Sequence, residues 1–150
     1  MYTDPRVVAF INNNAIPVRV HVKQNKEQFQ KLGEKYNAQW TPTTLILDAD
    51  GNERHRIEGF LPASEFLPQL ELGAAHAAFA RHDHADAERR FRDIVEKYPQ
   101  SDAAAEALYW AGASRYKSTG DAAALKETAR AFGDRYAGSA WAKKASVWAA

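Results

Sequence analysis

An α/β segment followed by an all-α helical-repeat segment is the fold class this chain predicts, on three observations. Thr43 to Leu47 is a continuous apolar run directly after Thr41-Pro42, as a strand would be. Upstream, Ile16, Val18, Val20 and Val22 alternate with Pro17, Arg19, His21 and Lys23, the period of a strand with one buried face. In the second half, the stretch beginning at Tyr98 returns at Tyr136, an offset of 38 residues. Tyr98/Tyr136, Ser101/Ser139, Ala104/Ala142, Ala107/Ala145, Trp110/Trp148 and Ala111/Ala149 fall in register. A period near this length, built from two helices, marks a helical array.

Taken in order, Asp4-Pro5 starts a helix, with Asp4 capping amides and Pro5 presetting φ. Val7, Val8 and Ile11 mark its apolar face, and Asn12-Asn13-Asn14 ends it. The strand over Ile16–Val22 follows, and Pro17 favours a sheet edge. Asn25 is placed to cap a helix carrying Phe29, Leu32 and Tyr36. The run Thr43–Leu47 suits a strand buried on both faces. Asp48-Ala49-Asp50-Gly51-Asn52 is a turn, across which a polar strand from Glu53 to Phe60 pairs antiparallel. Pro62-Ala63-Ser64-Glu65 opens a helix with Phe66, Leu67 and Leu70 inward and Pro68 early enough to be tolerated. Further helices are expected near 73–82, 85–98, 102–117, 122–136 and 140–150, the last without a partner. Small residues crowd Ala74 to Ala78 and Ala122 to Ala124, as close helix packing requires.

Composition narrows the function classes. A net charge of +1 gives no electrostatic case for nucleic acid or an anionic membrane surface. No apolar run approaches the ~20 residues that span a bilayer. With no cysteine, the chain has no disulfide, thiol catalysis or Cys-based zinc site, and tolerates either redox compartment. The expected location is cytoplasmic by default, or periplasmic if an N-terminal segment precedes Met1, since Met1 to Pro5 has no signal-peptide character.

The order helix, strand, helix, Thr-Pro, strand, hairpin, strand, helix resembles a thioredoxin fold read from the middle of its first helix. The resemblance covers roughly residues 3 to 72. It is carried by Asp4-Pro5-Arg6-Val7 before Ile16-Pro17-Val18, the Thr41-Pro42 loop, and the hairpin end Glu58-Gly59-Phe60. In that family a Cys-x-x-C motif faces the Thr-Pro loop, and here neither it nor the preceding strand is present. The resemblance implies a cis Thr41-Pro42 bond. It also places the missing strand between Ile16–Val22 and Thr43–Leu47, which exposes two rows of backbone donors and acceptors. Three outcomes follow: the flanking strands close up and pair, a segment from another copy fills the slot, or the chain belongs to a longer protein; a truncated form is expected over an evolved minimal one. The helical half resembles the tetratricopeptide repeat, in the version whose helix pairs are joined by Tyr-Pro-x-Ser. Ala87, Phe91, Ile94 and Pro99 have the spacing of its second helix, and Gly112 fits the small position where two backbones meet. Domains are therefore expected at 1–72, an incomplete thioredoxin-like half, and 73–150, tetratricopeptide-like repeats.

By the same resemblance, Trp40, Thr41 and Pro42 would offer backbone hydrogen bonds to an extended peptide; the alternative is a turn that shapes the strand entrance. The cluster Arg81-His82-Asp83-His84 with Asp86 has metal-ligating side chains but no third ligand at helical spacing, so a solvated turn is the expected reading. Ser64 and Ser101 read as helix caps. Among Tyr109, Trp110, Tyr116, Trp141 and Trp148, the repeated Trp110/Trp148 pair reads as packing, and Trp141 as the exposed partner-binding aromatic. The expected function is a non-catalytic protein-interaction module with a protein or peptide partner, no catalytic residue, no metal, no cofactor, no nucleic acid and no membrane insertion. A homodimer through exposed strand edges is a further expectation. The alternative is the C-terminal part of a thioredoxin-family thiol–disulfide oxidoreductase whose Cys-x-x-C lies upstream.

Overall fold

The computed structural model describes residues 1–150 and divides into two compact units, Met1–Leu67 and Pro68–Ala150. Seven α-helices and one two-stranded sheet make up the chain. No helix is long and apolar enough to cross a membrane.

In the first unit, α1 (Pro5–Asn14) begins where the Asp4 carboxylate accepts the Arg6 amide. Pro5 at the first helical position needs no intrahelical donor. Val7 is buried, whereas Val8, read as part of the same face, is exposed. α2 (Lys26–Lys35) follows Asn25, but that side chain does not cap the helix; it accepts the His21 amide at 3.0 Å instead. The hairpin β1 (Thr43–Leu47) and β2 (Glu53–Glu58) pairs antiparallel, Thr44 opposite Ile57 and Ile46 opposite His55. Gly51, at φ +82°, closes its turn, and the Tyr36 hydroxyl donates to the Gly51 carbonyl at 2.8 Å. The Arg56 guanidinium joins the strand to the end of α2, donating to the carbonyls of Tyr36 and Asn37 and pairing with Glu53 and Glu58. Val7, Ile57, Phe66 and Leu67 are buried in this unit, and the Tyr2 ring packs edge-on to Phe66.

Two strand expectations are corrected here. Ile16–Val22 forms no strand: the segment is unpaired, with Ile16 93% and Val18 74% exposed. β1 is not buried on both faces either; it is half-exposed, and Leu47 is exposed. Both corrections have one cause. The sheet holds only β1 and β2: Ile16–Val22 joins neither strand, and β1 has a neighbour on one edge alone.

The Asp48 carboxylate organises the hairpin turn. It accepts the amide of Asn52 at 2.9 Å and that of Asp50 at 3.0 Å, and pairs with Arg54. The Asn52 amide first, and then Arg54, hold its pKa at about 2, below the ordinary 3.8. A depressed carboxylate stabilises the fold above its unfolded pKa and loses that contribution as pH falls through its folded one. The turn is therefore expected to be fully held above about pH 4 and to loosen as pH drops through about 2. Chemical shifts and exchange of the Gly51 and Asn52 amides check this, and Asp48→Asn should abolish the acid transition.

In the second unit, α3 (Ala63–Ala80) enters from the first, and α4 (His84–Lys97), α5 (Ala103–Thr119), α6 (Ala123–Asp134) and α7 (Ala140–Ala145) follow. The separate helix expected at 73–82 is the second part of α3, which runs on through Pro68 and Gly73. Proline removes one backbone donor and glycine costs about 1 kcal/mol. Leu70, Leu72, Ala75 and Ala78 are all buried and offset both. The last expected helix, 140–150, is α7 followed by a 3-10 turn at Ser146–Ala149. Asp83 caps α4 through the Asp86 amide, and Gly120 closes α5 at φ +72°. The core consists of small and aromatic side chains: Leu72, Ala75, Ala78, Ala87, Phe91, Ile94, Ala107, Ala111 and Phe132 among them. Polar ties cross it at 2.8 Å from the Tyr98 hydroxyl to Glu71, and at 2.9 Å between His76 Nε2 and Glu106.

Candidate functional site

The free edge of β1 is the candidate site in the first unit. The Gly59 amide donates to the Pro42 carbonyl at 2.7 Å, and antiparallel alternation then directs Thr44 and Ile46 at β2. Thr43 and Leu45 consequently point their N–H and C=O groups the other way, where no strand lies. Such an edge is a template for another extended chain. The Thr41–Pro42 peptide bond, which leads into this edge, is cis. Trp40 is 68% exposed, and its carbonyl accepts the Thr43 hydroxyl at 2.6 Å, fixing the loop to the first residue of β1.

Exposed apolar surface concentrates in this unit. Tyr2, Val8, Ile16, Val18, Val22, Trp40, Leu47 and Phe60 lie within it, against only Tyr116 and Val147 in the helical unit. Sequence reasoning selected Trp40, Thr41 and Pro42 but not Thr43 and Leu45. The signal was present, since the residues of a strand whose neighbour is missing must leave alternate amides unpaired.

The remaining candidates lie in the helical unit. Trp141, expected to be exposed, is half-buried: it packs on the core and against Tyr109, with ring centroids 5.2 Å apart. Trp110 and Trp148 also pack on that core, with Tyr109 stacked on Trp148 at 4.4 Å. In the histidine segment, Arg90 and Arg89 hold the Asp86 carboxyl below its ordinary pKa, and Arg81 pairs with it as well. His84 packs edge-on to Phe79 at 4.8 Å. The Asp86 carboxylate and the His84 ring are thus held at the start of α4.

The first unit thus combines a helix–helix–hairpin–helix order, a cis proline before β1 and an open strand edge. Residues 1–74 match the family model for a thioredoxin-like domain, and within and beyond that match the chain contains no cysteine. No curated protein and no solved structure matches the chain.

Proposed function

We propose that this protein is a non-catalytic interaction module in which the thioredoxin-like half takes an extended protein or peptide segment along the free edge of β1. The observation that carries the reading is the pair of unpartnered residues Thr43 and Leu45 directly after exposed Trp40-Thr41-Pro42. Backbone hydrogen bonds along the edge supply affinity, and side chains beside Trp40 supply selectivity. A second copy is one such partner, because its Ile16–Val22 has the alternation of a strand and no ladder of its own. The helical half, read as tetratricopeptide-like repeats, adds a second binding surface. The test is amide exchange at Thr43 and Leu45, with and without a synthetic peptide copying Ile16–Val22. Exchange at both is expected to slow about tenfold or more on saturation. Unchanged exchange in the presence of excess peptide would sink the reading.

A second reading, the C-terminal part of a thiol–disulfide oxidoreductase, is favoured by the unpaired segment Ile16–Val22 and the free edge of β1, which flank the position of a central strand in the resemblance. An in-frame upstream coding sequence for Trp-x-x-x-Cys-x-x-Cys would establish it. The strand edge would then be occupied by the protein's own chain.

A further inference from the structure

The helical unit carries a different surface, an open cleft of about 360 Å³ between the starts of α5 and α7. Its walls come from the two copies of the sequence repeat. Pro99, Gln100 and Ser101 stand on one side, and Tyr136 and Ser139 on the other, with Trp141 beside them. The Tyr136 hydroxyl donates to the Pro99 carbonyl at 2.7 Å and holds the two loops together. The volume suits one or two side chains.

The charge around it differs from that around α4. On and before α4, the cations Arg81, Arg89, Arg90, Arg92 and Lys97 are all ion-paired. At the cleft, Lys144 places its Nζ 3.9 Å above the Trp141 ring, and Arg135 its guanidinium 5.3 Å from the Tyr136 ring. Neither has a carboxylate partner, so both keep their charge open beside rings that line the cleft. Asp102 also lines the cleft and has an interaction of its own within the chain. Aromatic rings hold such cations in place without neutralising them.

We propose that this cleft docks an acidic extended peptide, with an apolar side chain against Trp141 and Tyr136 and Asp or Glu carboxylates on Lys144 and Arg135. Charge complementarity selects that occupant: two open cations suit a carboxylate pair, whereas a nucleic-acid duplex draws on a longer row of phosphate contacts. The surface is separate from the β1 edge, and its test leaves that reading untouched.

The experiment is fluorescence anisotropy of a labelled Glu-rich peptide with one central leucine, beside its Gln-for-Glu counterpart. The acidic peptide is expected to bind roughly tenfold tighter, with affinity falling as salt rises. Lys144→Gln and Arg135→Gln are exposed substitutions that leave the core intact, and each should weaken binding roughly fivefold. Peptide slowing of exchange at Thr43 and Leu45 should be unchanged in both variants. Equal binding of the two peptides, variants indistinguishable from the parent, or an oligonucleotide of equal charge binding as tightly would overturn the proposal.

Discussion

Phe91→Ala is expected to remove about 4 kcal/mol from the stability of the helical unit. Phe91 is fully buried, at the centre of a core whose other members are largely alanine. Alanines have no rotamers with which to fill a void, so the space left by the ring should persist rather than collapse. The neighbours that could move are committed elsewhere. His76 packs edge-on to the Phe91 ring at 5.2 Å while hydrogen-bonded to Glu106, and Ile94 is itself fully enclosed. Urea denaturation followed by helical circular dichroism should show a lower midpoint with an unchanged slope, the mark of lost stability rather than altered compactness. Phe91→Leu should recover more than half of the loss, because most of the buried volume returns. A loss under about 1 kcal/mol for the alanine variant would mean that the core relaxes around the gap.

The legible parts of this fold were those whose signals are local. The hairpin turn needs an Asx residue and a positive-φ glycine, and Asp48 and Gly51 supply both within four positions. α4 was readable because Ala87, Phe91 and Ile94 recur on one face; its cap, Asp83, emerged from the structure. The 38-residue repeat located α5 and α7, since identical positions in an array face identical surroundings. What misled were signals whose outcome depends on distant partners. The alternation over Ile16–Val22 is a strand pattern, but a strand exists only when it pairs, and this segment pairs with neither β1 nor β2. A boundary was expected at 72/73, yet buried Leu70, Leu72 and Ala75 carry α3 through it. Trp141 stands where its own helix gives little cover; the covering surface comes from Tyr109, a helix and a repeat away. At the candidate site, the Thr-Pro step was visible in the sequence, while the open side of β1 follows from sheet order.

Gly112→Ala tests the closest approach in the helical unit and is expected to cost about 3 kcal/mol, at the upper end of overpacking. A Cβ on residue 112 would stand 2.0 Å from Thr128 Oγ1, 2.7 Å from its Cβ and 2.8 Å from its Cγ2. No rotamer change relieves this, because Thr128 Cβ is fixed by the backbone of α6. Its hydroxyl is also committed, donating to the Ala124 carbonyl at 2.8 Å in a buried position. Helices α5 and α6 must therefore move apart, loosening the contacts of Ala111 and Phe132 on either side. For a chain of this size the melting temperature should fall by roughly 6–12 °C. Thr128→Ala added to Gly112→Ala should restore part of the loss but not all, since the Cβ contact remains. Gly133→Ala is the control: it lies in α6 with nothing within 4 Å of the new methyl, so helix propensity alone should stabilise it by up to ~1 kcal/mol. The two substitutions are chemically identical and differ only in what stands opposite. Opposite signs would assign Gly112 to helix contact; matching gains would leave the small residues of this unit to helix propensity, without the close packing that a repeat array requires.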